Sequence, residues 1–206
     1  MLNIVVLISG GGSNLQALLE AAKDSAYPAR IVAVGSDTDA AGLAFAEAAG
    51  VPTFIVRPRD FDGREAWGSE FAGKIREHLA AARTAGPDTA ATAGDLVVSA
   101  GLMRILPANF VREFSPRLIN THPALLPLYP GAHAVRDALA AGSTQTGVTV
   151  HVIDEGVDTG PVLRQAVVQI EPGETEAELH ERIKQLERPL LVETIREIAT
   201  GALPLP

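Results

Sequence analysis

The chain has 206 residues, 47% hydrophobic and 20% charged, enough apolar side chains to bury a core and too few charges for a disordered chain. It contains no cysteine, which excludes disulfides, thiolate zinc sites and a thiol nucleophile, so its chemistry runs on nitrogen and oxygen. The 17 basic residues against 25 acidic ones leave a net charge of -8, which argues against a nonspecific surface for nucleic acid or an anionic membrane.

The first apolar run, residues 3–8, is too short to span a bilayer and lacks a basic leader or a small-residue cleavage site. It reads as a buried first strand, and a cytoplasmic location is the default. A glycine run then leads into a helix over 13–23, with Leu15, Leu18, Leu19 and Ala22 at helical spacing. A second strand is expected at 31–35 and a helix at 40–49, stopped by Gly50 and Pro52. A third strand follows at 53–56, then a long amphipathic helix over 64–83. Residues 85–94, built from Ala, Gly, Thr and Pro around one Asp, read as a surface loop with no function required.

A fourth strand lies at 96–100, a short helix at 107–114 opening on a permitted proline, and a fifth strand at 118–120. Pro123, Pro127, Pro130 and Gly131 stiffen the loop before a helix at 135–141. Residues 148–153 alternate and 162–170 are strand-like, an antiparallel pair joined by the loop 154–160; a terminal helix covers 175–199. No repeat or long linker divides the chain. The expectation is one α/β domain over 1–206: a mostly parallel, Rossmann-like sheet with helices on both faces and a late antiparallel strand pair.

Ser9-Gly10-Gly11-Gly12-Ser13-Asn14 stands between a strand and a helix, where outward-pointing N–H groups and the positive end of the dipole hold an anion without lysine. Phosphate is the natural guest; the other reading is a tight turn with Ser13 as N-cap. The dinucleotide fingerprint matches at Gly10 and Gly12 but has Leu15 at its third glycine, and no Gly-Lys-Ser/Thr follows for a triphosphate loop. Asp37, after the second strand, is a weaker candidate for a ribose-binding acid. Asn120 and His122 lie where the fifth strand ends, the usual place for ligands in open α/β sheets. Asn donates to a developing oxyanion and His exchanges a proton near neutrality; turn capping is the alternative.

Asp158, in a glycine-bracketed loop, is either solvated or close enough to His122 to favour its imidazolium and fix its tautomer. His133 is the second histidine of the proline-rich loop. His151 reads as structural, and His78 and His180 as exposed helix residues. The five histidines show no metal-ligand spacing, so no metal is expected. Met103, Arg104, Ile105 and Leu106 either line an apolar slot or pack under the short helix.

Together these segments resemble the phosphoribosylglycinamide formyltransferase family. The matching stretches are Ile4-Val5-Val6-Leu7-Ile8-Ser9-Gly10 with Gly12-Ser13-Asn14-Leu15-Gln16, Phe61-Asp62-x-Arg64-Glu65, and Ala100-Gly101-x-Met103-Arg104-Ile105-Leu106. They continue as Asn120-x-His122-Pro123-x-Leu125-Leu126-Pro127, Tyr129-Pro130-Gly131, His133, Gly147-x-x-Val150-His151 and Val157-Asp158-x-Gly160-Pro161. Such proteins move a formyl group from 10-formyltetrahydrofolate to the amine of glycinamide ribonucleotide, in purine synthesis.

The resemblance implies that Gly12, Ser13 and Asn14 hold the phosphate. Met103, Arg104, Ile105, Leu106, Asn120, Asp154, Glu155, Gly156 and Val157 enclose the folate, and Arg64 reaches its far end. Asn120, His122 and Asp158 match the catalytic trio. Glu187 and Lys184 match positions near the glycinamide end, where an exposed i,i+3 ion pair is the competing reading. Residues 1–100 would then be the phosphate-binding half and 101–206 the folate and catalytic half. Partners are small molecules, with no nucleic acid and no membrane, and the assembly a monomer or homodimer.

Three departures stand out: Gly11 in place of a residue often polar, Leu128 where a lysine is frequent, and a longer 85–94 stretch. By analogy the Leu126–Pro127 bond is expected to be cis. The runner-up is a 10-formyltetrahydrofolate hydrolase, with the same trio and water as acceptor, usually carrying a domain before the first strand. Methionyl-tRNA formyltransferase calls for a further C-terminal domain and a basic face. A noncatalytic nucleotide-binding module would leave the trio without a shared purpose.

Overall fold

A computed structural model describes residues 1–85 and 94–206. The apolar runs form strands β1 (Leu2–Ile8), β2 (Ala29–Ser36), β3 (Thr53–Ile55), β4 (Asp95–Ser99), β5 (Leu118–His122), β6 (Gln145–Val152) and β7 (Val162–Gln169). Between them run helices α1 (Ser13–Ala21), α2 (Leu43–Ala48), α3 (Arg64–Ala85), α4 (Ala108–Phe114), α5 (Ala134–Ala140) and α6 (Glu176–Thr200). The sheet order is β3-β2-β1-β4-β5-β6-β7; β1 to β5 are parallel, and β6 and β7 join antiparallel. This is the expected α/β architecture.

β1 shows why these strands read as unbroken apolar runs. Side chains alternate between faces, so Ile4, Val6 and Ile8 enter the core beneath α1 and α6 while Val5 and Leu7 enter the one beneath α3 and α4. Both faces are covered, so both sets must be apolar. On β5 the same alternation sends Leu118 to the α3/α4 side and Ile119 to the α1/α6 side.

The strand order reverses between β1 and β4, which opens a crevice at the carboxyl ends of these strands. Its edges are tied by Ser9 N–H donating to Gly101 O at 3.0 Å and Ala100 N–H donating to Leu7 O at 2.8 Å.

Several boundaries differ from expectation. α2 starts at Leu43 because the turn before it is drawn toward the glycine loop, Gly42 N–H donating to Gly10 O at 3.0 Å. β5 runs through His122, since β6 pairs with it as far as His122 opposite Thr149. α3 extends to Ala85; the rest of the anticipated surface loop up to residue 93 lies outside the described residues. His78 is half-buried, stacked on Phe54 with ring centroids 5.2 Å apart, and His180 is also half-buried rather than exposed. The Leu126–Pro127 bond is cis, as is Ser115–Pro116.

α6 begins with a capping box, Thr175 and Glu178 satisfying each other's backbone N–H. It is also bound to the first βα unit: the Tyr27 hydroxyl donates to Val192 O at 2.9 Å and Arg196 lies over the Tyr27 ring at 5.1 Å. Burial pushes the Tyr27 hydroxyl up to about 12. Among the described residues no helix is long and apolar enough to cross a membrane.

Candidate active site

The carboxyl end of β5 carries the first two groups. Alternation from Leu118 places Asn120 and His122 on one face of the sheet and Thr121 on the other. β6 runs antiparallel beside it in a register that sets His151 directly opposite Asn120. Asn120 Nδ2 lies 3.3 Å from His151 Nε2. Asp158 arrives from the loop after β6, with one oxygen 3.4 Å from His122 Nδ1 and the other 3.6 Å from His151 Nε2. Asn120, His122 and Asp158 are thus brought together as expected, with His151 as a fourth member.

His122 is buried and held at both ring nitrogens. Nε2 lies 2.8 Å from the Tyr129 carbonyl, which can only accept, so Nε2 carries a proton. On the Nδ1 side, Asp158 Oδ2 also accepts from Gly131 N–H at 2.8 Å. Among the described residues Tyr129 (φ 53°) and Asp158 (φ 54°) are the non-glycine residues at positive φ. Such strain persists where the surroundings over-determine the backbone, commonly at functional sites. Here both strained residues are those that grip His122. Gly160 anchors the loop behind Asp158: a β-carbon there would stand 1.8 Å from Val152 O.

His151 is almost wholly buried, and its Nδ1 donates to Val152 O at 3.0 Å. Burial pushes its pKa down, against the smaller upward pull of that backbone bond and of Asp158.

The glycine run reaches α1 as an anion-ready helix start. Gly12, not Ser13, occupies the N-cap, at φ 73° in the left-handed region and with no side-chain cap. A β-carbon on Gly12 would lie 2.9 Å from Gly42 Cα, so the N-cap reading of Ser13 gives way to a close backbone crossing that only glycine permits. The first hydrogen bond into the turn is Gln16 N–H to Gly12 O at 2.9 Å, which leaves the N–H groups of Ser13, Asn14 and Leu15 without intrahelical partners. Asn14 is buried and its Oδ1 has no hydrogen-bond partner.

Next to this loop, Met103 is 75% exposed and Ile105 61%, whereas Leu106 is only 9% exposed and packs in the α3/α4 core. The segment is fixed by its polar atoms. Ser9 Oγ accepts from Met103 N–H at 2.7 Å and donates to buried Asp37 at 2.6 Å. Arg104 pairs with the other Asp37 oxygen at 2.6 Å. Asp37, considered as a ribose acid, braces the glycine loop against the Met103 segment instead. Arg64 donates to Ile105 O at 2.8 Å, which places it at the outer end of this segment.

In the loop after β6, Asp154 accepts from Gly156 N–H at 3.0 Å and from Thr159 Oγ1 at 2.7 Å. Val157, between Gly156 and Asp158 in the chain, is exposed. The Arg112 guanidinium clamps Glu155 at 2.6 and 2.9 Å and holds its carboxyl below the usual carboxylate range.

On the opposite face of β5, Thr121 Oγ1 donates to Glu187 Oε1 at 2.9 Å, both residues being buried. Lys184 pairs with Glu181 at 2.6 Å, so the competing reading, an ion pair between Lys184 and Glu187, is not what the structure holds. Among the described residues no group of three or more His, Asp or Glu side chains is arranged to hold a metal ion.

The formyl transferase family profile matches residues 2–195, nearly the whole of this sheet and its helices. The chain belongs to the formyl transferase family. It is 50% identical over 197 residues to the phosphoribosylglycinamide formyltransferase of Mycobacterium tuberculosis (strain ATCC 25618 / H37Rv), covering 96% of this chain and 85% of that one. The corresponding protein of Escherichia coli (strain K12) is 39% identical over 203 residues, covering 98% and 89%. The crystal structure of glycinamide ribonucleotide transformylase 1 from Symbiobacterium toebii superposes with a TM-score of 0.90 at 37% identity, covering 100% of this chain and 91% of that one.

A formyl transferase implies a formyl donor and a small-molecule acceptor. As the acceptor adds to the formyl carbon, charge gathers on its oxygen, and N–H donors of the kind Asn120 and His122 carry are what stabilise such an oxygen.

Proposed function

We propose that this formyl transferase moves the formyl group of 10-formyltetrahydrofolate to the amine of glycinamide ribonucleotide, a step of de novo purine biosynthesis. The observation that carries the reading is the gathering of Asn120, His122 and Asp158 around His151 at the same, carboxyl end of the parallel strands as an anion-ready helix start. In this reading the backbone N–H groups of Gly12, Ser13 and Asn14 receive the phosphate, with buried Asn14 Oδ1 available to a ribonucleotide donor. Residues 1–100 then serve the phosphate end and 101–206 the folate and the chemistry. Exposed Met103 and Ile105 and the chain at Arg104 and Leu106 form one wall of the folate slot; Asp154, Glu155, Gly156 and Val157 form the other. Arg64 stands at the outer end, and Glu187 with Lys184 serves the acceptor from the far face of β5.

The amine lone pair attacks the formyl carbon, and the C=O electrons move onto oxygen. Asn120 N–H and His122 N–H take that charge, the latter by exchanging the Tyr129 carbonyl for the formyl oxygen at Nε2. One such donor is worth about 3 kcal/mol. Asp158 stands 3.4 Å from His122 Nδ1 and, through water, carries the proton from the attacking nitrogen to the departing folate nitrogen. The collapse re-forms C=O, breaks the bond to the folate nitrogen and leaves formylated ribonucleotide and tetrahydrofolate. No step calls on a metal. A cytoplasmic monomer or homodimer suits a reaction between two small molecules.

The test mixes protein, glycinamide ribonucleotide and a 10-formylfolate and follows deformylated folate together with formylated ribonucleotide. Coupled appearance of both is the expected result. Folate release that does not need the ribonucleotide would make the chain a hydrolase. His122→Ala is expected to abolish turnover while the ribonucleotide still binds by calorimetry; near-native turnover would remove His122 from this role.

A further inference from the structure

A carboxamide can turn either its NH2 or its oxygen toward a reacting group, and only the NH2 end stabilises negative charge. We propose that His151 decides which end Asn120 presents: held as the neutral, Nδ1-protonated ring, it accepts a hydrogen bond at Nε2 from one Asn120 N–H and leaves the second N–H for the developing oxyanion. The inference rests on the reading of Asn120 as an oxyanion donor. It makes His151 a positioning residue, since it acts through Asn120.

The assignment follows from what each atom can do. Val152 O has no proton to give, so the 3.0 Å bond at Nδ1 requires a proton there. In the neutral ring Nε2 is then a lone pair, and a lone pair 3.3 Å from the carboxamide selects its NH2 and rejects its oxygen. The ring is fixed in place, because β5 and β6 set His151 directly opposite Asn120 and its side chain is 2% exposed.

The groups that act on its charge are Asp158 at 3.6 Å and Asp154, which favour the cation, and His122, which opposes it; burial outweighs them in favour of the neutral form. A proton on Nε2 would reverse the logic. The new N–H would draw the Asn120 oxygen or Asp158 toward itself and turn the carboxamide donor away from the reaction. A neutral His151 also leaves the Asp158 charge to His122, whose Nδ1 lies 3.4 Å from Asp158 Oδ2.

Full-length His151→Gln, His151→Asn and His151→Leu are compared after thermal melts confirm folding. The Gln amide oxygen reaches the place of Nε2, and the Asn oxygen stops near Nδ1. His151→Leu is expected to lower kcat about a hundredfold, the low end of what losing one oxyanion donor costs. KM for the ribonucleotide stays within about twofold. Gln restores most of the loss and Asn does not. A second measurement uses the unaltered protein: the ring 15N shifts of His151 near neutral pH are expected to be pyridine-like at Nε2 and pyrrole-like at Nδ1.

A leucine variant turning over like the parent, equal rescue by Asn and Gln, or a pyrrole-like Nε2 would each overturn the proposal. Asn120→Ala is assayed alongside. Unchanged turnover in that variant would defeat the role of Asn120, and no transfer by the parent protein would defeat the functional reading. In either case the 15N shifts still decide the state of His151.

Discussion

Gly12 meets two demands at once, a left-handed backbone and a β-carbon position 2.9 Å from Gly42 Cα. Gly12→Ala is therefore expected to cost about 1–3 kcal/mol in thermal unfolding. It should also raise KM for the ribonucleotide more than it lowers kcat. Gly11→Ala, with nothing within 4 Å of its β-carbon, is the control that should change neither.

Thr121 poses a different problem. It is the one hydrogen-bond donor to buried Glu187 among the described residues, so Thr121→Val should cost about 1–3 kcal/mol and Thr121→Ser little. Urea unfolding of the two variants separates these outcomes. His151 adds an acid sensitivity. Its pKa lies below the ordinary value because burial disfavours the charged ring, so below pH of about 6.5 the unfolded chain takes up a proton that the native one resists. That contribution to stability is present above this range and is lost as pH falls through the native pKa; His151→Gln should flatten the dependence.

Asn120, His122 and Asp158 could be found in the sequence because a polar pair ending an apolar strand and an acid inside a glycine-bracketed loop are locally anomalous. His151 and Thr121 could not. Each sits inside an alternating strand, where spacing tells the face but not the partner, and both partners are 31 or more positions away.

The elements themselves were legible to different degrees. β1 and β4 are apolar on both faces, so their runs stood out and their limits moved by a single residue. The sequence starts α2 three residues too early because Ala40, Ala41 and Gly42 fit a helix by composition, while the Gly42–Gly10 bond that holds them as a turn is tertiary. β5 looked shorter because its last residues are polar; their ladder comes from β6. α6 carried its own start signal. Thr175→Ala removes the capping box and should cost about 1 kcal/mol by thermal melt. It should leave kcat unchanged, since the cap lies far along the helix from Glu187.

At the scale of the molecule, net charge said only what the surface as a whole avoids. An excess of eight acids is compatible with a phosphorylated substrate because the proposed anion site uses main-chain N–H groups at one helix end. The tie between Tyr27 and α6 adds an alkaline limit. Unfolded tyrosine ionises near pH 10 and Tyr27 at about 12, so its contribution is full below 10 and is lost as pH climbs through 12. Stability measured from pH 9 upward should fall less steeply in Tyr27→Phe.

The proposed catalytic and positioning groups straddle a seam in the sheet: Asn120 and His122 belong to the parallel part, His151 and Asp158 to the antiparallel extension. During refolding, contacts across this seam form only after the loop between them has closed. The lone tryptophan, Trp67, is buried within the parallel part, in the α3/α4 core with Val5 and Leu7 of β1, its indole donating to Val56 O at 2.8 Å. Tryptophan fluorescence and returning turnover should therefore keep separate clocks, with fluorescence settling first and turnover timing the closure of the seam.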